Sequence, residues 1–277
     1  MAYPLRRTLR LEAPGSWQML NLAELWAYRE LLFFFVWRDV KVRYKQTVLG
    51  AAWAVIQPLM TTLVFTILFG RFGGMSKQVE GPYALHVFVG MLPWTFFANA
   101  VAAAANSLIG SSHLISKVYF PRILIPVAAI AGGLVDFAIS FVVLLVMMAA
   151  YGVAPTWAML WLPLYLLGTI VCAAGAGILF AALIVTYRDV RYVMTFVMQL
   201  WLFGTPVLYT LDIIPAKWHE LYALNPMVGM IAGFRTSVLG GAFPAAVILT
   251  SSAAAVVMFV TGIRYFLHVE RRFADVI

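Results

Sequence analysis

Residues 81–116 read GPYALHVFVGMLPWTFFANAVAAAANSLIGSSHLIS, with no full charge anywhere in the stretch. A bilayer core of about 30 Å needs roughly 20 apolar residues in a helix rising about 1.5 Å each. This run is long enough to cross it. The pattern repeats outward in both directions. No residue is fully charged between Lys45 and Arg71, from Phe137 to Tyr187, from Tyr192 to Leu211, or from Thr236 to Ile263. The fold class is therefore an all-α integral membrane protein.

Composition agrees, with 64% hydrophobic and 11% charged residues; a soluble domain carries about 25% charged. Tyr151-Gly-Val-Ala-Pro-Thr-Trp157 divides the longest run, with Gly152 and Pro155 as turn residues. The expected spans are 51–70, 84–108, 123–150, 158–186, 192–210 and 245–263, six helices in all. Pro58, Pro93, Pro126, Pro163 and Pro206 fall inside five of them. Proline inside a span frees a carbonyl and kinks the helix.

Basic residues bias orientation. With a cytoplasmic N-terminus, the inner side holds Arg6, Arg7, Arg10, Arg29, Arg38, Lys41, Arg43, Lys45, Lys117, Arg122, Arg188, Arg191, Arg264, Arg271 and Arg272. Only Arg71, Lys77, Lys217 and Arg235 then lie outside. Both termini are expected in the cytoplasm. The net charge of +8 becomes a topology signal that needs no nucleic-acid partner. Three regions follow: a cytoplasmic N-terminal part (1–45), a membrane domain (46–265) and a cytoplasmic tail (266–277). The basic start lacks the apolar core of a cleavable signal.

Residues 20–37 place Leu22, Leu25, Trp26, Leu32, Phe33 and Val36 near one helical face. The expectation is an interfacial helix on the cytoplasmic surface, followed by the cations Arg38, Lys41, Arg43 and Lys45 at headgroup level. Those cations either anchor the chain to lipid or attract an anionic lipid-linked substrate. Residues 111–122 can form a short helix exposing His113, Leu114, Lys117 and Tyr119 as a docking surface. The apolar segment 209–243 suggests short external helices dipping back into the membrane.

Conventional catalytic chemistry is missing from the sequence. There is no G-x-x-x-x-G-K-[ST] phosphate loop, no H-E-x-x-H and no Cys/His metal spacing. Cys172 stands alone, and His86, His113, His219 and His268 are scattered. Asp136 is the one acid inside a span, and an intramembrane acid is a functional candidate by default. An ion-coupled transporter of a small solute and a membrane enzyme acting on lipid-linked sugars both stay open on these residues.

Six strings narrow the choice: RDVKVRYKQTVLGAAWAVIQP (38–58), GMLPWTFF (90–97), KVYFPR (117–122), YRDVRY (187–192), LNPM (224–227) and FADVI (273–277). In this order they resemble the membrane subunit of bacterial ATP-binding-cassette polysaccharide exporters, most of all the O-antigen type. The resemblance covers nearly the whole chain. It implies two copies of this subunit and two of a separate ATP-binding subunit that holds ATP and Mg, with no cofactor in this chain. It implies a bacterial inner-membrane location and a polysaccharide carried on undecaprenyl pyrophosphate. The coupling surface would comprise His113, Leu114, Ile115, Lys117, Tyr119, Phe120 and Arg122. The interfacial helix would gate the cytoplasmic mouth, and the Arg38–Lys45 cluster would favour the pyrophosphate. Aromatic rings offer an apolar face to sugar C–H surfaces, which makes Trp53, Trp94, Phe96, Phe97, Trp201 and Tyr209 channel-lining candidates.

Overall fold

The computed structural model describes residues 22–45, 52–77, 79 and 81–273. The basic residues before residue 22, the 46–51 part of the first string and the tail after Phe273 lie outside it. Short α1 (Leu22–Ala27) leads into α2 (Arg29–Lys45). Next come α3 (Ala52–Phe65), extended by a π-helical turn Thr66–Phe72, and the long α4 (Tyr83–Gly110). A single turn and a half, α5 (Ser112–Lys117), connects to α6 (Leu124–Ala150). A 3-10 turn, Trp157–Trp161, opens α7 (Leu162–Thr186). Then follow α8 (Val190–Phe203), α9 (His219–Tyr222), α10 (Pro226–Leu239) and α11 (Ala245–Val269), closed by the 3-10 turn Glu270–Arg272.

Five helical units among the described residues are long and apolar enough to cross a membrane: 52–72, 83–110, 124–150, 157–186 and 245–269. The protein is a multi-pass membrane protein. The span expected over 192–210 is shorter than expected. Its helix stops at Phe203 after 14 residues, about 21 Å at 1.5 Å per residue. Gly204 ends it, and Pro206 has no N–H with which to continue it.

The prolines divide by position. Pro58 and Pro93 lie inside α3 and α4. Pro126 sits in the first turn of α6 and Pro163 in the first turn of α7, where a missing N–H costs little. Only two of the five are therefore kink positions.

α4 is the central helix, with α3, α6, α7, α8 and α10 packed around it. α7 and α11 cross with backbone against backbone: a Cβ on Gly262 would fall 2.3 Å from the Gly175 carbonyl oxygen. That approach is open only to glycine and exemplifies small-residue packing in membranes.

The N-terminal helix differs most from expectation. It extends through the charged cluster to Lys45 instead of stopping before it. Its bundle side is Phe35, buried at 3%, flanked by Leu31, Leu32 and Val36, while Trp26 and Phe33 are exposed with Phe34 and Trp37. Apolar residues on both sides of the helix defeat a one-face reading. α2 runs beside α6 in the same direction: Phe35 meets Phe120, Asp39 and Val40 face Gly132, and Arg43 reaches Asp136.

Candidate functional site

Two polar regions stand out, one beside α2 and one in the segment after α8. Asp136 anchors the first. Arg43 donates a guanidinium N–H to Asp136 Oδ2, and the Tyr44 hydroxyl donates to Oδ1. Burial and the Asp136 carboxylate together push the Tyr44 hydroxyl above its usual range. Asp136 thus sits beside the last turn of α2, where charged sequence gives way to the first uncharged run. α6 has 27 residues, so it is about 40 Å long and exceeds the hydrocarbon thickness. The acid lies about 18 Å along it from Leu124.

These residues border a cavity of about 410 Å³ between α2, α3, α4 and α6. Trp53 and Gln57 line it from α3, Thr95, Phe96 and Asn99 from α4. Ser140 of α6 donates to the Ala54 carbonyl at 3.2 Å and ties its far wall. Between Tyr83 and Ile109, Asn99 is the one exposed residue of α4. Helix propensity does not explain an open amide there, on the most buried of the membrane-length helices.

The expected cation cluster is electrostatically smaller than its sequence. Arg38 pairs with its neighbour Asp39 at 2.8 Å and lies over Phe35, 5.0 Å from the ring centre. Arg43 is paired with Asp136. Lys41 and Lys45 are exposed.

The channel-lining candidates separate likewise. Trp53 is 53% exposed at the cavity and Phe96 lines its wall, whereas Trp94 and Phe97 are buried core side chains. Phe97 meets Trp201 edge-on at 5.0 Å, and the Trp201 indole donates to Asn225 Oδ1 at 2.8 Å. Tyr209 donates to the Phe203 carbonyl and shares a hydrogen bond with Tyr222. Trp94, Phe97 and Trp201 therefore pack within the bundle.

On the α5 loop, His113, Lys117 and Tyr119 are exposed, Tyr119 at 74%, with Leu114 half-buried. Ile115 and Phe120 point inward. Phe120 packs edge-on against Phe35 of α2 at 5.6 Å between centroids. The Arg122 backbone N–H donates to Glu270 Oε1 at 3.1 Å, and its guanidinium donates to the Glu270 carbonyl. Burial holds the Glu270 carboxyl above the usual carboxylate range, against the opposing pull of Arg122. The loop's outer side is open, and its inner side is fastened to both α2 and the end of α11. Sequence gave no signal for the partners Arg43–Asp136, Phe35–Phe120 or Arg122–Glu270, which are brought together only by packing.

The segment after α8 is closed. Asn225 caps α10 by accepting from the Met227 N–H, and its amide donates to Gly204 and Thr205. Pro226 takes the first helical position, so the LNPM string is a helix start. The expected short helices are α9 and α10. Arg235, read from sequence as an external cation, is buried and donates to the Val207 and Tyr209 carbonyls. Tyr83 donates to the Leu208 carbonyl at 2.8 Å. Non-helical backbone is tolerated at membrane depth when its polar groups are satisfied in this way.

The ABC-2 type transporter family model matches residues 30–239. The O-antigen export system permease protein RfbA of Myxococcus xanthus is 33% identical over 214 residues, 76% of this chain and 81% of that protein. One of the same name from Klebsiella pneumoniae is 28% identical over 249 residues, 90% and 95% of the two chains. The polysialic acid transport protein KpsM of Escherichia coli is 23% identical over 220 residues, 74% and 79%. The matched span runs from α2 to α10 and so takes in the Asp136 cavity, the α5 loop and α10 itself: the chain belongs to the ABC-2 type transporter family.

Proposed function

We propose that the chain is the membrane subunit of an ATP-driven exporter that moves a lipid-linked polysaccharide, of O-antigen type, out across the bacterial inner membrane. Relatives named for O-antigen export cover up to 95% of their own length in the match. The observation that carries the mechanism is the two-sided α5 loop. Exposed His113, Lys117 and Tyr119 offer a contact to a separate ATP-binding subunit, which would hold the ATP and Mg. Buried Phe120 and part-buried Arg122 pass its displacement to α2 and α11. Nucleotide binding then acts only by favouring one arrangement of these joined parts.

The exposed faces of α3 and α8 support a paired assembly. Only 11% of the best 18-residue window in 52–72 is buried, and Met60, Leu63, Leu68 and Phe72 stand open there. On α8 Tyr192, Phe196, Leu200 and Phe203 do the same. Both helices rest on α4, so a second copy meeting them would enclose a route between the two subunits. Two ATP-binding subunits would serve such a pair, with both termini cytoplasmic. The ion-coupled reading loses its motive, because Asp136 has a cation and a hydroxyl as fixed partners.

Copurification tests the proposal. A tagged chain should bring down the ATP-binding subunit in equal amount, and its deletion should trap polymer on the cytoplasmic side. A chain that pairs with no ATP-binding subunit, or whose loss leaves surface polymer unchanged, contradicts it.

A further inference from the structure

The Asp136 cavity has the makings of a ligand site that the coupling mechanism does not use. Its volume of about 410 Å³ falls within the roughly 300–1,000 Å³ of small-molecule pockets. Its charge is already balanced, because the Arg43 guanidinium and the Asp136 carboxylate are both cavity residues and bonded to each other. An anion arriving there would meet the carboxylate as well as the guanidinium. A neutral polar ligand meets no such conflict.

The remaining hydrogen-bond capacity is large. A carboxylate offers about four lone-pair sites and a guanidinium five N–H groups. Arg43 and Tyr44 occupy one site on each Asp136 oxygen. Asn99 adds a donor and an acceptor from the one exposed position inside α4, and Thr95 adds a hydroxyl. Trp53, half exposed on the α3 side, supplies an aromatic surface next to them. Paired donors and acceptors beside an indole match the chemistry of a sugar ring, which shows hydroxyls at its rim and C–H bonds on its faces.

We propose that this cavity is a carbohydrate subsite, holding a neutral sugar residue of the exported chain between Trp53, Asn99 and the Arg43–Asp136 pair. The proposal rests on the exporter reading. It places the sugar in the cavity and leaves the phosphates to the exposed Lys41 and Lys45 outside it.

Thiol protection in cells tests it with the full chain and its ATP-binding subunit. Asn99→Cys puts a thiol in the cavity, and the native Cys172 is fully buried, which removes background labelling. Lipid-linked polymer is accumulated behind a hydrolysis-dead ATP-binding subunit. Maleimide labelling is expected to slow at least tenfold relative to cells blocked at the first sugar transfer, which hold the carrier phosphate alone. Trp53→Ala in the same chain should abolish that protection. Thr95→Cys gives a second thiol should Asn99→Cys fail to insert. Equal labelling with and without polymer, while wild-type export is intact, overturns the subsite and leaves the exporter reading standing. Protection by the carrier alone overturns it in favour of a phosphate site. Surface polymer unaffected by deletion of the chain overturns both.

Discussion

The two polar regions of this membrane protein use their hydrogen bonds in opposite ways. After α8, Asn225, Arg235 and Tyr83 spend hydrogen bonds on the carbonyls of a non-helical stretch, of which Val207 and Leu208 are enclosed by protein. Beside α2, Arg43 and Asp136 answer each other but stay partly open, at 38% and 27% side-chain exposure. The first arrangement is what low-dielectric burial demands of irregular backbone. The second keeps unspent donors and acceptors next to a cavity. Polar groups spent on buried backbone mark architecture, and balanced, partly open ones beside a cavity mark a place for something else to bind.

The comparison can be broken most forcefully at Arg235. Arg235→Ala leaves the buried Val207 carbonyl and the part-buried Tyr209 carbonyl without their donor, at about 1–3 kcal/mol for a buried one. Thermal unfolding in detergent should show it as the largest loss of this set. Next comes Gly262→Val, whose Cβ meets the Gly175 carbonyl; overpacking of that kind costs about 1–3 kcal/mol. Asp136→Asn should cost only about 1 kcal/mol, because the pair is screened by solvent, yet should impair export. An Asp136→Asn loss exceeding that of Arg235→Ala would reverse the assignment of the two regions.

Much of this was legible in the sequence because it rests on composition and local signals. Uncharged runs of bilayer length located the helices, and Asn225-Pro226 announces the start of α10. Three things were not legible. The end of α8 at Phe203 depends on Gly204 and Pro206 turning a chain that is apolar enough to continue. α2 hides its contact face because Phe33, Phe34 and Phe35 are consecutive, and packing alone selects Phe35. Arg43 and Asp136 are 93 residues apart, so the cation cluster and the membrane acid read as separate features. The channel candidates divide for the same reason: aromatic content identifies Trp53 and Trp94 equally, and only the fold exposes one and buries the other.

Smaller effects sharpen the picture at the α5 loop and the end of α11. The Glu270 carboxyl is held above its ordinary pKa, so the folded protein retains a proton that the unfolded chain releases. Stability should therefore fall as pH rises from the ordinary carboxylate value through the raised one, and be unaffected by this group below both. Glu270→Gln should flatten that part of the melting profile. Tyr119→Glu, on an exposed side chain, should move stability by less than about 0.5 kcal/mol while separating ATP hydrolysis from export. Unchanged export would remove the α5 loop from the coupling path.

The direct test is reconstitution. The purified chain is placed in liposomes with lipid-linked polysaccharide, with or without its ATP-binding subunit, and arrival of polymer on the far side is measured. Movement should require both subunits and ATP hydrolysis. Movement by the chain alone, driven by an ion gradient, would contradict the account.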